Sequence, residues 1–139
     1  MNERTFIVKI HKLLSQEIYK WKINDPYHGG IPDTYYSGPA NFCFIEYKYK
    51  PQLPAKNMSK LNFGLTEQQK LWLIKQQEFD IPVFVAAGCE NRVVLTEDFE
   101  SVNYYTKQTF SQVSLSVPDF IQKLELHCLG SKRGQNDNS

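Results

Sequence analysis

Ile31-Pro32-Asp33-Thr34-Tyr35-Tyr36-Ser37, then Gly38-Pro39-Ala40-Asn41, then Phe42-Cys43-Phe44-Ile45-Glu46-Tyr47-Lys48-Tyr49 is the stretch from which the architecture can be read. Two runs rich in aromatic and β-branched residues flank a segment with turn chemistry, the signature of a β-hairpin. Side chains two apart on a strand point to one face, so Glu46 and Lys48 project together. Asp33 opens the first run and lies beside them if the strands pair. Two carboxylates and a lysine on one face suit a hard cation with a positive charge next to it, the equipment of phosphodiester cleavage. Each residue also has a plainer reading: Asp33 as a turn cap, Glu46 and Lys48 as an exposed cross-strand pair.

Working outward, residues 5 to 20 read as a helix, because Phe6, Ile10, Leu13, Leu14, Glu17, Ile18 and Trp21 recur at three- and four-residue steps. Glu17 is the odd member of that apolar stripe, since a carboxylate facing a core requires a partner or a metal. Trp21-Lys22-Ile23 suggests a short strand, and Asn24 to Gly30 a loop. Downstream, Lys50 to Gly64 reads as a long loop, of the length that is usually functional or disordered. Leu65 to Gln77 reads as a second helix, with Thr66 and Gln69 spaced as a capping box. Ile81 to Gly88 suits a strand covered on both faces, and Asn91 to Thr96 a further strand. Val117 to Leu129 forms a last amphipathic helix, with Ser116 as its cap, Pro118 in its first turn and Gly130 at its end. This order gives an α/β domain with a small mixed sheet flanked by helices, spanning 1–130, and a polar tail over 131–139.

Composition narrows the function. A chain of 139 residues with 41% hydrophobic and 14% aromatic residues can bury one core. Its net charge of +1 gives no global nucleic-acid signature, so positive charge must be local or supplied by metal. Cys43, Cys89 and Cys128 fit neither a zinc pattern nor a disulfide framework and read as buried free thiols. The amino terminus opens no signal or transit peptide and no apolar run reaches membrane-span length, so a cytoplasmic location is expected.

Pro32-Asp33 with Glu46-Tyr47-Lys48, preceded by the apolar run Phe42 to Ile45, resembles the PD-(D/E)xK nuclease superfamily. Asp25 to Gly38 and Phe44 to Tyr49 look like small phage endonucleases: junction resolvases, VRR-NUC proteins and free-standing homing enzymes. The resemblance covers roughly residues 5 to 96. It implies a restriction-endonuclease-like core, a phage or bacterial source, a Mg²⁺ cofactor that Mn²⁺ can replace, DNA as partner and a homodimer. Asp33, Glu46 and the backbone carbonyl of Tyr47 would hold the metal, and Lys48 would orient water and stabilise transition-state charge. Glu17 matches the upstream helix Glu that the superfamily often carries, placed to reach a second metal or a metal-bound water.

Thr66, Gln69 and Trp72 match a hydroxyl–Gln–Trp series of the VRR-NUC helix, which implies a place for Gln69 near the site; alternatively Gln69 only completes its capping box. His28 is a candidate phosphate contact or acid, or a plain loop histidine. Lys50, Lys56 and Lys60 are the candidate DNA-backbone contacts, with Lys20 and Lys22 before the site. Tyr27, Tyr35, Tyr36 and Tyr49 can stack on bases or pack the hairpin. The expected activity is metal-dependent DNA cleavage, structure-selective on branched DNA. A site-specific homing or restriction-like enzyme and a non-catalytic DNA-binding module are the alternatives. A hairpin that only fastens a surface would hold Asp33 and Glu46 too far apart to share one ion.

Overall fold

A computed structural model describes residues 1–25 and 27–130. The expected polar tail, 131–139, lies outside the described residues. Helix α1 (Glu3–Leu13) leads into β1 (Tyr19–Lys22), β2 (Thr34–Ser37) and β3 (Phe42–Lys50). Helix α2 (Glu67–Glu78) follows, then β4 (Val83–Cys89), β5 (Arg92–Thr96), α3 (Lys107–Val113), β6 (Leu115–Ser116) and α4 (Val117–Leu129). The six strands form one sheet in chain order. Only β3 and β4 run parallel, as expected for strands joined through a crossover helix, here α2.

Hydrophobic burial makes this a three-layer structure. On one face Cys43, Ile45 and Tyr47 of β3 pack beneath Phe6 and Ile10 of α1 and Phe120 and Leu124 of α4. On the other, Val83, Val85 and Ala87 of β4 pack beneath Leu73 of α2 and Phe110 of α3. All three cysteines are buried and unbridged. Among the described residues, no helix is long and apolar enough to cross a membrane.

The hairpin forms in the expected register, with Thr34 opposite Ile45 and Ser37 opposite Phe42. Helix α2 carries the expected capping box from Thr66 to Gln69. At α4, Ser116 caps the start and Gly130 closes the end with φ +78°. The first helix is a correction. It ends at Leu13, and Glu17 lies exposed in the turn before β1. Tertiary bonds override the apolar period there. The Ser15 N–H donates to Glu125 Oε2 of α4 at 2.8 Å, and Lys20 Nζ takes the carbonyls of Ser15 and Ile18 at 3.0 and 3.1 Å. Leu14 and Ile18 remain buried, so helical spacing survives in a segment that is not helical.

The segment after β3 lacks regular structure but is well anchored. Leu61, Phe63 and Leu65 alternate into the core. Asn103 clamps Leu65 from both sides, its Oδ1 accepting from the Leu65 N–H at 2.9 Å and its Nδ2 donating to the carbonyl at 2.8 Å.

Candidate active site

Three elements converge on Glu46. Strand β3 places Glu46 and Lys48 on the face that looks toward α2, and their side chains meet at 3.6 Å from Nζ to Oε2. Asp33 lies one residue before the first pair of β2 with β3, where β3 has a backbone donor to spare. Its Oδ2 takes that donor, the Tyr47 N–H, at 3.1 Å. The Asp33 carboxyl sits near enough to Glu46 for its charge to raise the proton affinity of Glu46.

The third element is the start of α2. Gln69 closes the expected capping box and also meets Glu46. Its Oε1 accepts from the Thr66 N–H at 3.0 Å to close the capping box, and its Nε2 donates to Glu46 Oε2 in a long bond of 3.4 Å. A helix N-terminus also favours negative charge nearby. The loop before Asp33 is pressed against the same turn. Gly30 has φ +85°, and a Cβ there would come within 2.7 Å of the Gln68 carbonyl, so glycine allows the close approach.

Glu46 is 2% exposed, and its Oε1 is buried with no hydrogen-bond partner. Burial pushes its carboxyl up to about 8, helped by the Asp33 charge and opposed by Lys48. Removal from water penalises the ion, and a like charge alongside adds to the penalty. A buried carboxylate with one oxygen vacant and a second carboxylate beside it fits a divalent cation. Mg²⁺ commonly takes one or two carboxylates and keeps several waters. Among the described residues, no group of three or more His, Cys, Asp or Glu is gathered as a metal site. The donor set that the resemblance implies is these two carboxylates with the Tyr47 carbonyl. The Tyr47 side chain points away into the core, where its hydroxyl meets that of Tyr36 at 2.8 Å.

Sequence reading missed Glu3. Half-buried in the first turn of α1, it has its carboxyl raised by burial and by Asp33, and lowered by Lys48 and Lys22. It is the α1 carboxylate in electrostatic contact with the site, and Glu17 is not on that helix. The local signal was an acid just after the Asn2 cap; its approach to the hairpin is a long-range fact.

The remaining candidates stand apart. His28 is mostly exposed and its Nδ1 pairs with Asp25 Oδ2 at 2.8 Å. Lys50 ends β3 half-buried, while Lys56 and Lys60 are exposed on the following loop. That loop is fastened toward α3: Lys60 bridges to Thr106 and its Nζ lies 5.6 Å from the Tyr104 ring centroid. Tyr36 is fully buried and Tyr49 stacks on Phe6 at 4.8 Å, so both pack the core. Tyr27 and Tyr35 are on the α2 side of the hairpin.

No family model matches the chain, and no curated protein matches it. Among solved structures it is similar to Hjc, a Holliday junction resolvase from the archaeal hyperthermophile Archaeoglobus fulgidus. The TM-score is 0.54 over 86% of this chain and 96% of the resolvase, at 15% identity. At that identity the likeness is one of fold. A six-stranded mixed sheet between helices, with the Asp33 to Lys48 hairpin at its centre, is the restriction-endonuclease-like fold that the sequence led us to expect.

Proposed function

We propose that this chain is a Mg²⁺-dependent DNA endonuclease that cuts branched DNA. The observation that carries the reading is Glu46: a buried carboxylate with a vacant oxygen, held against Asp33 and Lys48. Structural proteins seldom retain so unfavourable an arrangement, and perturbed carboxyl pairs are characteristic of functional sites. Likeness of fold to a Holliday junction resolvase supports DNA as substrate and a junction as its form.

Asp33, Glu46 and the Tyr47 carbonyl would hold the ion. When bound, a divalent metal acidifies its water and polarises the phosphate. The chain's own residues do the rest. Lys48, tethered by Glu46, offers its ammonium to the phosphate and to the charge that grows in the transition state. Gln69 fixes the rotamer of Glu46 from a rigid helix turn, and Glu3 adds negative charge behind Asp33. Lys50, Lys56, Lys60 and His28 would contact the DNA backbone away from the cut. A homodimer would present one such site to each strand of the duplex.

The test is a labelled panel of linear duplex, single strand, flap and four-way junction, incubated with Mg²⁺ or EDTA. Metal-dependent cutting that favours the junction is expected. Cutting that ignores EDTA, or no cutting of any substrate, would overturn the proposal.

A further inference from the structure

Beside the carboxylate pair the same sheet face carries an aromatic surface. Strand β1 is an edge strand, and it contributes Tyr19 and Trp21, 61% and 49% exposed. Both rings approach Tyr35 of β2, at 6.4 and 6.1 Å. Tyr35 lies 5.2 Å from Phe44, and Phe44 lies 5.6 Å from Trp72 of α2. At the α2 end the surface deepens into an open cleft of about 640 Å³, walled by Trp21, Ile23, Tyr27, Ile31, Phe44 and Trp72. That volume is in the ordinary range of pockets for small organic groups, roughly 300–1,000 Å³.

Three features say what fits there. The walls and the carboxylate site share their elements. Ile31 and Phe44 each precede a site carboxylate by two residues, and Trp72 follows Gln69 by three. A polymer whose phosphate lies at Asp33 and Glu46 therefore has its neighbouring residue at the cleft. The walls are dominated by flat aromatic rings, which accept any base face, whereas an aliphatic surface would suit side-chain packing. Lys22 also lines the cleft, and Asp25, the one acid of the lining, is held by a hydrogen bond with His28 Nδ1 at 2.8 Å. In a continuous duplex the base faces are covered by their neighbours; at a branch or a flap they are open.

Resting on the nuclease reading for its choice of polymer, we propose that this cleft takes unpaired nucleobases of a DNA strand, stacked against Trp21 and Trp72, beside the phosphate to be cut. Substrate selection then favours sites where nucleotides next to the cut can unpair, as at a branch point, and does not depend on base sequence.

The chain contains two tryptophans, and both are in the cleft, so intrinsic fluorescence reports on it directly. Short oligothymidylate is titrated in EDTA, which removes cleavage from the measurement. Saturable quenching is expected, with no comparable change for a blunt hairpin duplex. Trp21→Ala should weaken binding on the order of ten-fold, the scale of one lost base stack, and Trp21→Phe should retain most of it. Far-UV circular dichroism checks that both variants fold. Absence of quenching, or equal binding by Trp21→Ala, would overturn the proposal. So would a Trp21→Ala variant that dissociates a dimer while oligothymidylate leaves the wild-type emission unchanged, since the face would then be a contact between copies. Metal-dependent cutting without quenching removes the cleft alone; quenching without cutting of any substrate removes the nuclease reading and leaves the cleft.

Discussion

Two glutamates lie on opposite sides of this sheet at nearly the same depth, Glu125 at 4% exposure and Glu46 at 2%. Glu125, on α4, accepts from the backbone N–H of Ser15 at 2.8 Å and so fastens the turn after α1 to the last helix. Glu46 faces α2 with one oxygen vacant, a second carboxylate alongside and its proton affinity raised. Burial is common to both, so burial alone marks nothing. What separates them is satisfaction: the Glu125 carboxylate accepts from a backbone N–H of the fold, and Glu46 keeps one buried oxygen without a partner.

The largest expected difference is in rate. Lys48→Ala should lower single-turnover cleavage by roughly 10²–10³-fold, the scale of one lost electrostatic stabiliser. Binding of uncut junction in EDTA should stay within a few-fold, and a parallel loss of binding would make Lys48 a mere anchor.

The two glutamates should then part in stability. Glu125→Ala leaves the Ser15 N–H without its acceptor and should cost roughly 1–3 kcal/mol in urea unfolding. Glu46→Gln removes a charge that burial disfavours. In EDTA at pH 8 it should be at least as stable as the wild type. A marked loss there would mean that Glu46 is structural, like Glu125.

Dependence on pH sharpens the contrast. The folded value of Glu46, about 8, lies above its ordinary 4.5. Its stabilising contribution is therefore full at acid pH and is lost as pH rises through about 8. Metal-free wild type should lose stability relative to Glu46→Gln across that window, by a few kcal/mol. Because a cation requires the ionised carboxylate, Mg²⁺ should raise the wild-type melting temperature more at pH 8 than at pH 6. A Mg²⁺ effect independent of pH would place the ion elsewhere.

Gln69 gives the smallest effect. Gln69→Glu keeps the capping box, which accepts either residue, but sets a third carboxyl against Glu46. Helix stability should be unchanged within ~0.5 kcal/mol, while cleavage falls about ten-fold; Gln69→Ala should lose ~0.5–2 kcal/mol as well. Equal cleavage by Gln69→Glu and wild type would reduce Gln69 to its cap.

What could be read in the sequence was what local chemistry determines. The hairpin follows from period-two alternation around Gly38 to Asn41, and α2 and α4 announce themselves by caps at Thr66 and Ser116. Glu46 and Lys48 share a face because strand geometry requires it. The errors were tertiary. Glu17 fitted an apolar period that Glu125 and Lys20 interrupt, and Glu3 reaches the site through the packing of α1. The short elements α3 and β6 went unseen because a seven-residue helix and a two-residue strand carry too little periodicity. Leu61 and Phe63 did alternate legibly inside a segment read as a loop, and Leu65 continues the alternation at what was read as the start of the second helix.

The central claim is that Asp33 and Glu46 form one catalytic metal site, and cleavage tests it most directly. Labelled four-way junction is incubated with Mg²⁺ and wild type, Asp33→Ala, Glu46→Gln or Glu125→Gln. Cutting by wild type and Glu125→Gln, abolished in both site variants and by EDTA, is the predicted result. Cutting that survives Asp33→Ala or Glu46→Gln in a folded protein would contradict the account.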